Sequence, residues 1–267
     1  MSDTMETTSP LPAPSSRWAL FLDVDGTLID IAEAPDKVVT DRRLAEILSD
    51  LAGMLGGAVA LVSGRRIETL DHLFAPVRLP AAGLHGLERR DADGATTRAA
   101  TRGAALGAVR NAFRAFAGAH PGVLIEDKEM TIALHYRGAP DRGDDAIALA
   151  TKLIAEDGSG LKIQRGKMVV EIRPDGPDKG SVIETFMAEP PFAGRIPVFV
   201  GDDVTDEDGF EAVNRMGGQS VRVGRNGMTA ARSRVDGVDD LLRWLSAVRH
   251  ELAAQGTATV GDQDDRS

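Results

Sequence analysis

Cysteine is absent from this 267-residue chain, which removes disulfides, thiolate zinc sites and cysteine nucleophiles together. Positive charge is in short supply: 31 Lys and Arg stand against 41 Asp and Glu, a net charge of −10. A surface that wraps nucleic acid neutralises phosphates with basic patches, so nucleic acid and other polyanions are not expected as partners. No apolar run is long enough to span a bilayer, and residues 1–16 carry neither a basic start nor an apolar centre. That excludes a signal peptide by pattern, no membrane partner is expected, and a cytoplasmic chain with a disordered lead-in is the expectation. There is no internal repeat and no low-complexity tract within residues 17–252. Aromatics are only 4%, in an otherwise ordinary globular composition of 42% hydrophobic and 27% charged residues. A chain of this length buries about three quarters of its unfolded surface and needs no staple.

What the sequence does contain is organised around Trp18-Ala-Leu-Phe-Leu-Asp-Val-Asp-Gly-Thr27. An apolar run without polar alternation reads as a strand buried on both faces. It stops abruptly at Asp23 and Asp25. Ligands of open α/β sheets sit beyond the carboxyl ends of the strands, so these carboxylates stand at the mouth of a site. Two like charges that close need a cation.

The pattern continues in α/β alternation. A helix is predicted over 40–52 behind a Thr40 cap, after a loop containing Pro35. A second buried strand, 58–62, ends in Ser63-Gly64-Arg65, and a helix runs on to Phe74. From about residue 90 the pattern changes to two amphipathic helices, each preceding a hairpin. In the second hairpin, which breaks at Arg165-Gly166, Met168, Val170 and Ile172 face one way and Lys167, Val169, Glu171 and Arg173 the other. After Pro174-Asp-Gly-Pro177 the α/β pattern returns: a helix from Lys179, a buried strand over 196–200, the acidic run Gly201-Asp-Asp-Val-Thr-Asp-Glu207, and a last helix to about Leu252.

The fold expected is a doubly wound, Rossmann-like parallel-sheet core with an inserted α+β cap of order αββαββ. Residues 17–88 and 176–252 would form the core and 89–175 the cap, with 1–16 and 253–267 as tails. A monomer is expected.

Four sheet-end features carry the chemistry: Asp23 with Asp25, Ser63 with Gly64, Lys179, and the cluster Asp202, Asp203 and Asp206. These residue types fit phosphoryl transfer, in which the protein positions groups and neutralises charge. A carboxylate can attack phosphorus to form an aspartyl-phosphate, and Mg²⁺ suits an all-oxygen site. Ser63, the amides of the helix start behind it and Lys179 would hold the phosphate.

Asp23-Val-Asp-Gly-Thr27, Val62-Ser-Gly-Arg65, Lys179-Gly180 and Gly201-Asp-Asp-Val-Thr-Asp-Glu207 resemble, in chain order, the four motifs of the haloacid dehalogenase-like superfamily. Gly83-Leu-His-Gly-Leu-Glu-Arg-Arg90, Glu126-Asp-Lys128, Ala133-Leu-His-Tyr-Arg137 and Gly166-Lys-Met-Val-Val-Glu-Ile-Arg-Pro174 are similar to the trehalose-6-phosphate phosphatases within it. The resemblance covers roughly residues 17–250. It implies Asp23 as nucleophile, Asp25 as general acid and then base, and Mg²⁺ held by Asp23, the backbone carbonyl of Asp25, and Asp202, with Asp206 supporting. It also implies that Glu126, Lys128, Arg137, Lys167 and Glu171 hold the sugar. One departure is Glu129, where the family pattern has Gly.

The same residues have plainer readings. An Asp-x-Asp after a strand can be a turn, Ser63 an N-cap, Lys179 a solvated lysine, and Lys167, Glu171 and Arg173 a solvated sheet face. His85 and His135 read as structural. Other functions consistent with the motifs are a phosphatase or phosphomutase for another sugar phosphate, and, from a different class, a phospho-accepting signalling domain.

Overall fold

The computed structural model describes residues 9–31, 41–99, 103–157, 160–225 and 227–261; Pro35 and Thr40 lie outside them. Its centre is β1 (Trp18–Leu22), all five residues of which are buried. Side chains alternate across a strand, and here both faces meet apolar cores. Trp18, Leu20 and Leu22 enter one core, where the helices α1 (Arg42–Met54), α2 (Ile67–Leu73) and α7 (Val238–Gly261) cover the sheet. Ala19 and Phe21 enter the other, under α5 (Lys179–Met187) and α6 (Glu207–Arg215). That two-sided burial is why the strand reads as an unbroken apolar run. Asp41, not Thr40, caps α1, its carboxylate accepting from the Arg43 amide at 3.0 Å.

The main sheet also contains β2 (Val59–Val62), β3 (Ala81–Gly83), β4 (Glu88–Arg90), β5 (Thr96–Arg98), β10 (Ile196–Gly201), β11 (Gln219–Val223) and β12 (Ser233–Val235), in the order β12-β11-β10-β1-β2-β3-β4-β5. All pairs from β12 to β3 are parallel. β4 and β5 add two antiparallel strands at the edge. They have no apolar alternation to betray them. Glu88 and Arg90 are buried as partners: the Ile67 amide donates to Glu88 at 3.1 Å, and Arg90 forks onto Asp71 at 2.7 Å twice. The main sheet therefore continues through Arg98, beyond residue 88.

That unit is a four-stranded antiparallel sheet, β6-β7-β9-β8, formed by β6 (Leu124–Asp127), β7 (Ile132–His135), β8 (Leu161–Gly166) and β9 (Val169–Pro174). α3 (Gly103–Ala119) and α4 (Gly143–Asp157) pack on one face through Leu106, Val109, Phe113, Ala146 and Ala150 against Ile132, Leu134, Val170 and Ile172. The other face looks at the ends of the core strands. The β8–β9 turn falls at Lys167-Met168, two residues later than expected, and Met168, at φ +60° and 40% exposed, sits at the hairpin tip and not in the core. Glu129 adopts φ +68°, the left-handed conformation that explains why glycine suits the position.

Within the described residues, parts of the segments expected as tails make defined contacts. Ser9 donates to the Arg232 carbonyl at 3.0 Å and Pro10 accepts from Ser233 at 2.9 Å, while α7 runs on to Gly261.

Candidate active site

β1 is flanked by β2 on one side and β10 on the other, so the chain reverses its direction of winding between β1 and β10. A crevice opens at such a point, outside the carboxyl ends of the strands. Asp23 directly follows β1 and Asp202 directly follows β10; they are 4% and 2% exposed. Asp206, wholly buried, completes a group in which one carboxylate oxygen from each residue lies within 4.8 Å of the others. The Lys179 ammonium, at the first turn of α5, donates to Asp23 Oδ1 at 2.7 Å and to Asp206 Oδ1 at 2.6 Å. Its helix start is fixed by a capping box between Asp178 and Ser181.

The charges are unequal. Burial first, and then the negative charges of Asp206 and Asp202, raise the Asp23 carboxyl well above the usual range in spite of Lys179. Burial likewise lifts Asp202 to about 6, although Lys167 Nζ contacts its Oδ2. Lys179 is shifted upward: burial opposes its charge, but Asp206 and Asp23 outweigh that. A pocket of hard oxygen donors with surplus negative charge is what a divalent cation such as Mg²⁺ requires. Local geometry agrees. Gly26 has φ +81°, and a Cβ there would lie 2.2 Å from Asp202 Oδ2, so only glycine lets the backbone pass against that carboxylate.

Of the three acids, Asp206 is fully engaged, its Oδ2 accepting from the Asp202 and Asp203 amides at 2.9 Å each. Asp23 and Asp202 share Thr27 Oγ1, at 3.0 and 3.5 Å. Asp25 lines the cleft and accepts a bidentate pair from Arg65 at 2.7 and 2.6 Å. Ser63 and Gly64 line it too. α2 begins at Ile67, four residues after Ser63, and the Ile67 amide donates to Glu88.

The second unit supplies the far wall. Lys128 donates to the Gly64 carbonyl at 3.0 Å and lies 3.5 Å from both Glu171 oxygens and 3.7 Å from Glu126. Burial works against ionisation of Glu171, but Lys128 and then His85 hold its carboxyl well below the usual range. Glu126 is also lowered: His135, at 2.8 Å, and Lys128 overcome its burial. Arg137 donates to the Lys167 carbonyl at 3.1 Å, and the Lys167 amide to Asp203 at 3.2 Å. All five cap residues singled out from the sequence line the same cleft as Asp23. Arg173 does not; it is fully buried and reaches the Pro177 carbonyl. His85 and His135, read from sequence as structural, both line the cleft beside carboxylates. No histidine pair at ligand spacing announces them; the signal available was their position next to the motifs.

Comparison with known proteins places this architecture. The chain is 48% identical over 216 residues to a probable trehalose-phosphate phosphatase of Sinorhizobium fredii, covering 81% of each chain. It is 44% identical over 248 residues to the trehalose-6-phosphate phosphatase of Escherichia coli, covering 92% of each. Among solved structures, the C-terminal domain of the C. albicans trehalose-6-phosphate phosphatase superposes with a TM-score of 0.78 at 23% identity over 88% of this chain and 93% of that one, a likeness of fold. The trehalose-phosphatase family model matches residues 21–238, and with a parallel sheet carrying its acids at the switch point, the chain belongs to that family.

Proposed function

We propose that this chain hydrolyses trehalose 6-phosphate to trehalose and phosphate, with Mg²⁺ as cofactor and an aspartyl-phosphate intermediate. The observation that carries the reading is the meeting, in one cleft, of a buried Asp23–Lys179–Asp202 cluster with a wall of sugar-compatible polar groups from the cap. Asp23 is the nucleophile: its oxygen bonds to phosphorus while the ester oxygen departs. Asp25, in its acid form, gives that oxygen a proton and then takes one from the water that attacks phosphorus as the Asp23–phosphorus bond breaks, restoring the Asp23 carboxylate and the Asp25 acid. Its present partner, Arg65, keeps the side chain at the cleft and yields it to the ester oxygen when substrate enters. Mg²⁺, held by Asp23, Asp202 and the Asp25 carbonyl, would neutralise phosphate charge; Asp206 braces Lys179 and the Asp202 backbone. Ser63, Gly64 and Lys179 hold the phosphate oxygens. Glu126 and Glu171, kept ionised, accept from sugar hydroxyls, while Lys128, Arg137 and Lys167 donate to them.

Phosphate release tests this directly. With Mg²⁺, kcat/KM for trehalose 6-phosphate should exceed that for glucose 6-phosphate, mannose 6-phosphate and sucrose 6-phosphate by about 10²-fold or more, since buried polar groups left unpaired penalise the wrong sugar. Chelation should stop turnover and Mg²⁺ restore it. Equal rates across the panel would overturn the sugar assignment, and single turnover with no further release would indicate a phospho-accepting switch. Asp25→Asn should lower kcat by roughly 10²- to 10⁴-fold, the usual contribution of a general acid. That loss should shrink on an ester whose leaving group needs no proton, such as p-nitrophenyl phosphate; an equal loss on both would remove Asp25 from the acid role.

A further inference from the structure

His85 occupies a costly position. It lies at φ +54°, between Leu84 at +52° and Gly86 at +102°, a left-handed run that only the glycine adopts without strain. Its side chain is 10% exposed, and Nδ1 is buried with no hydrogen-bond partner among the described residues. An imidazole with one nitrogen unsatisfied, on a strained backbone, persists only when something else offsets it. The surroundings show what the run achieves. The Leu84 amide donates to the Arg65 carbonyl and the His85 amide to the Ser63 carbonyl, at 2.9 Å each, so the turn is laid against the loop expected to hold phosphate. The ring lies over Gly64, where a Cβ would fall 2.6 Å from Nε2. That nitrogen in turn lies 3.5 Å from Glu171 Oε2, on the cap.

We propose that His85 is a positioning residue that couples the phosphate loop to the sugar-reading wall, its Nε2–H orienting the Glu171 carboxylate against the seated phosphate. The inference rests on the reading of the cleft as a trehalose 6-phosphate site. Burial lowers the histidine's pKa, the Glu171 contact opposing it, so the ring is neutral and one nitrogen carries a proton to donate. The separation of 3.5 Å is long for a hydrogen bond, and catalytic contacts of this kind commonly tighten when substrate binds. A second bond across the same gap runs the other way, from Lys128 on the cap to the Gly64 carbonyl on the core. The phosphate loop and Glu171 are thus tied by a lysine and a histidine, and a disaccharide phosphate touching both ends reads their relative placement. A small phosphate ester touches only one end.

The test uses His85→Asn, because asparagine tolerates the left-handed backbone but its amide falls short of Nε2, and His85→Gln, whose amide nitrogen reaches it. Melting temperatures establish that each variant folds, and kcat and KM are measured with Mg²⁺ for trehalose 6-phosphate and for p-nitrophenyl phosphate. His85→Asn should lower kcat/KM for trehalose 6-phosphate by about 10- to 100-fold, mainly through KM, and that for p-nitrophenyl phosphate by no more than roughly 3-fold. His85→Gln should regain most of the difference. Combined with Glu171→Gln, the asparagine change should add little to the loss on the disaccharide, as expected of two groups acting as a unit. Parallel losses on the two substrates, or additive losses in the double variant, would overturn the inference alone. A wild-type chain with no preference for trehalose 6-phosphate would remove the functional reading and this inference with it.

Discussion

Asp23→Asn should leave a folded protein that does not turn over. The amide matches the carboxylate in size but cannot attack phosphorus and is a poor ligand for a hard cation. Loss of a nucleophile costs an enzyme at least about 10⁴-fold in kcat, so no burst of phosphate and no steady rate should be measurable above that level. Folding should be spared for a separate reason. The Asp23 carboxyl is raised by burial and by Asp206 and Asp202, which means its ionised form opposes the folded state at neutral pH. Removing that charge relieves the repulsion while leaving Lys179 a neutral acceptor in place of one of its two charged ones. The melting temperature should therefore change little. Retained turnover would dismiss Asp23 as nucleophile; collapse of the fold would show that the repulsion in the cluster is smaller than its burial indicates.

Lys179→Met should do the opposite, losing stability and activity together. The ammonium is 3% exposed, between carboxylates that are 5% and 0% exposed. Methionine fills the volume but strands both acids in the interior. Removing one partner of a buried ion pair typically costs about 3–5 kcal/mol, which in a chain of this size lowers the melting temperature by roughly 6–20 °C. Adding Asp206→Asn should recover part of that stability, because one stranded charge is gone, yet recover no phosphatase activity, because the ammonium that holds the phosphate oxygens is still missing. An unchanged melting temperature in Lys179→Met would mean that the lysine is solvated, as its plain reading from the sequence allows.

What was legible beforehand follows from which interactions leave a periodic trace. β1 declares itself because both of its faces are apolar, and the helices declare themselves because only one face is. Hence the parallel core, the inserted four-stranded unit and the convergence of Asp23, Ser63, Lys179 and Asp202 on one cleft could be read from spacing and from strand ends. β4 could not, since its buried side chains are Glu88 and Arg90, satisfied by partners distant in sequence. The same holds for the commitment of the α2 amide to Glu88, and for Arg65 on Asp25. Such pairs are set by three-dimensional placement and leave nothing in hydrophobic pattern. The placement of Ser9 and Pro10 escaped for a related reason: Ser9 is tied by its backbone amide to the Arg232 carbonyl and Pro10 by its carbonyl to the Ser233 hydroxyl, bonds with no compositional signature.

The central position of β1 also bears on how the molecule comes to exist. Its hydrogen-bonded neighbour β10 is made only after the whole cap. While a ribosome is still synthesising the cap, one edge of this wholly apolar strand has no mate, and such an edge invites pairing between nascent chains. The cap is built mostly from contacts local in sequence, with hairpins and adjacent helices, so it can collapse first and act as a compact spacer. Closure of the sheet then comes last, and it is the same event that brings Asp202 and Lys179 to Asp23. A partly made chain would consequently lack the proposed phosphate site, whose completion waits on the final third of the polypeptide.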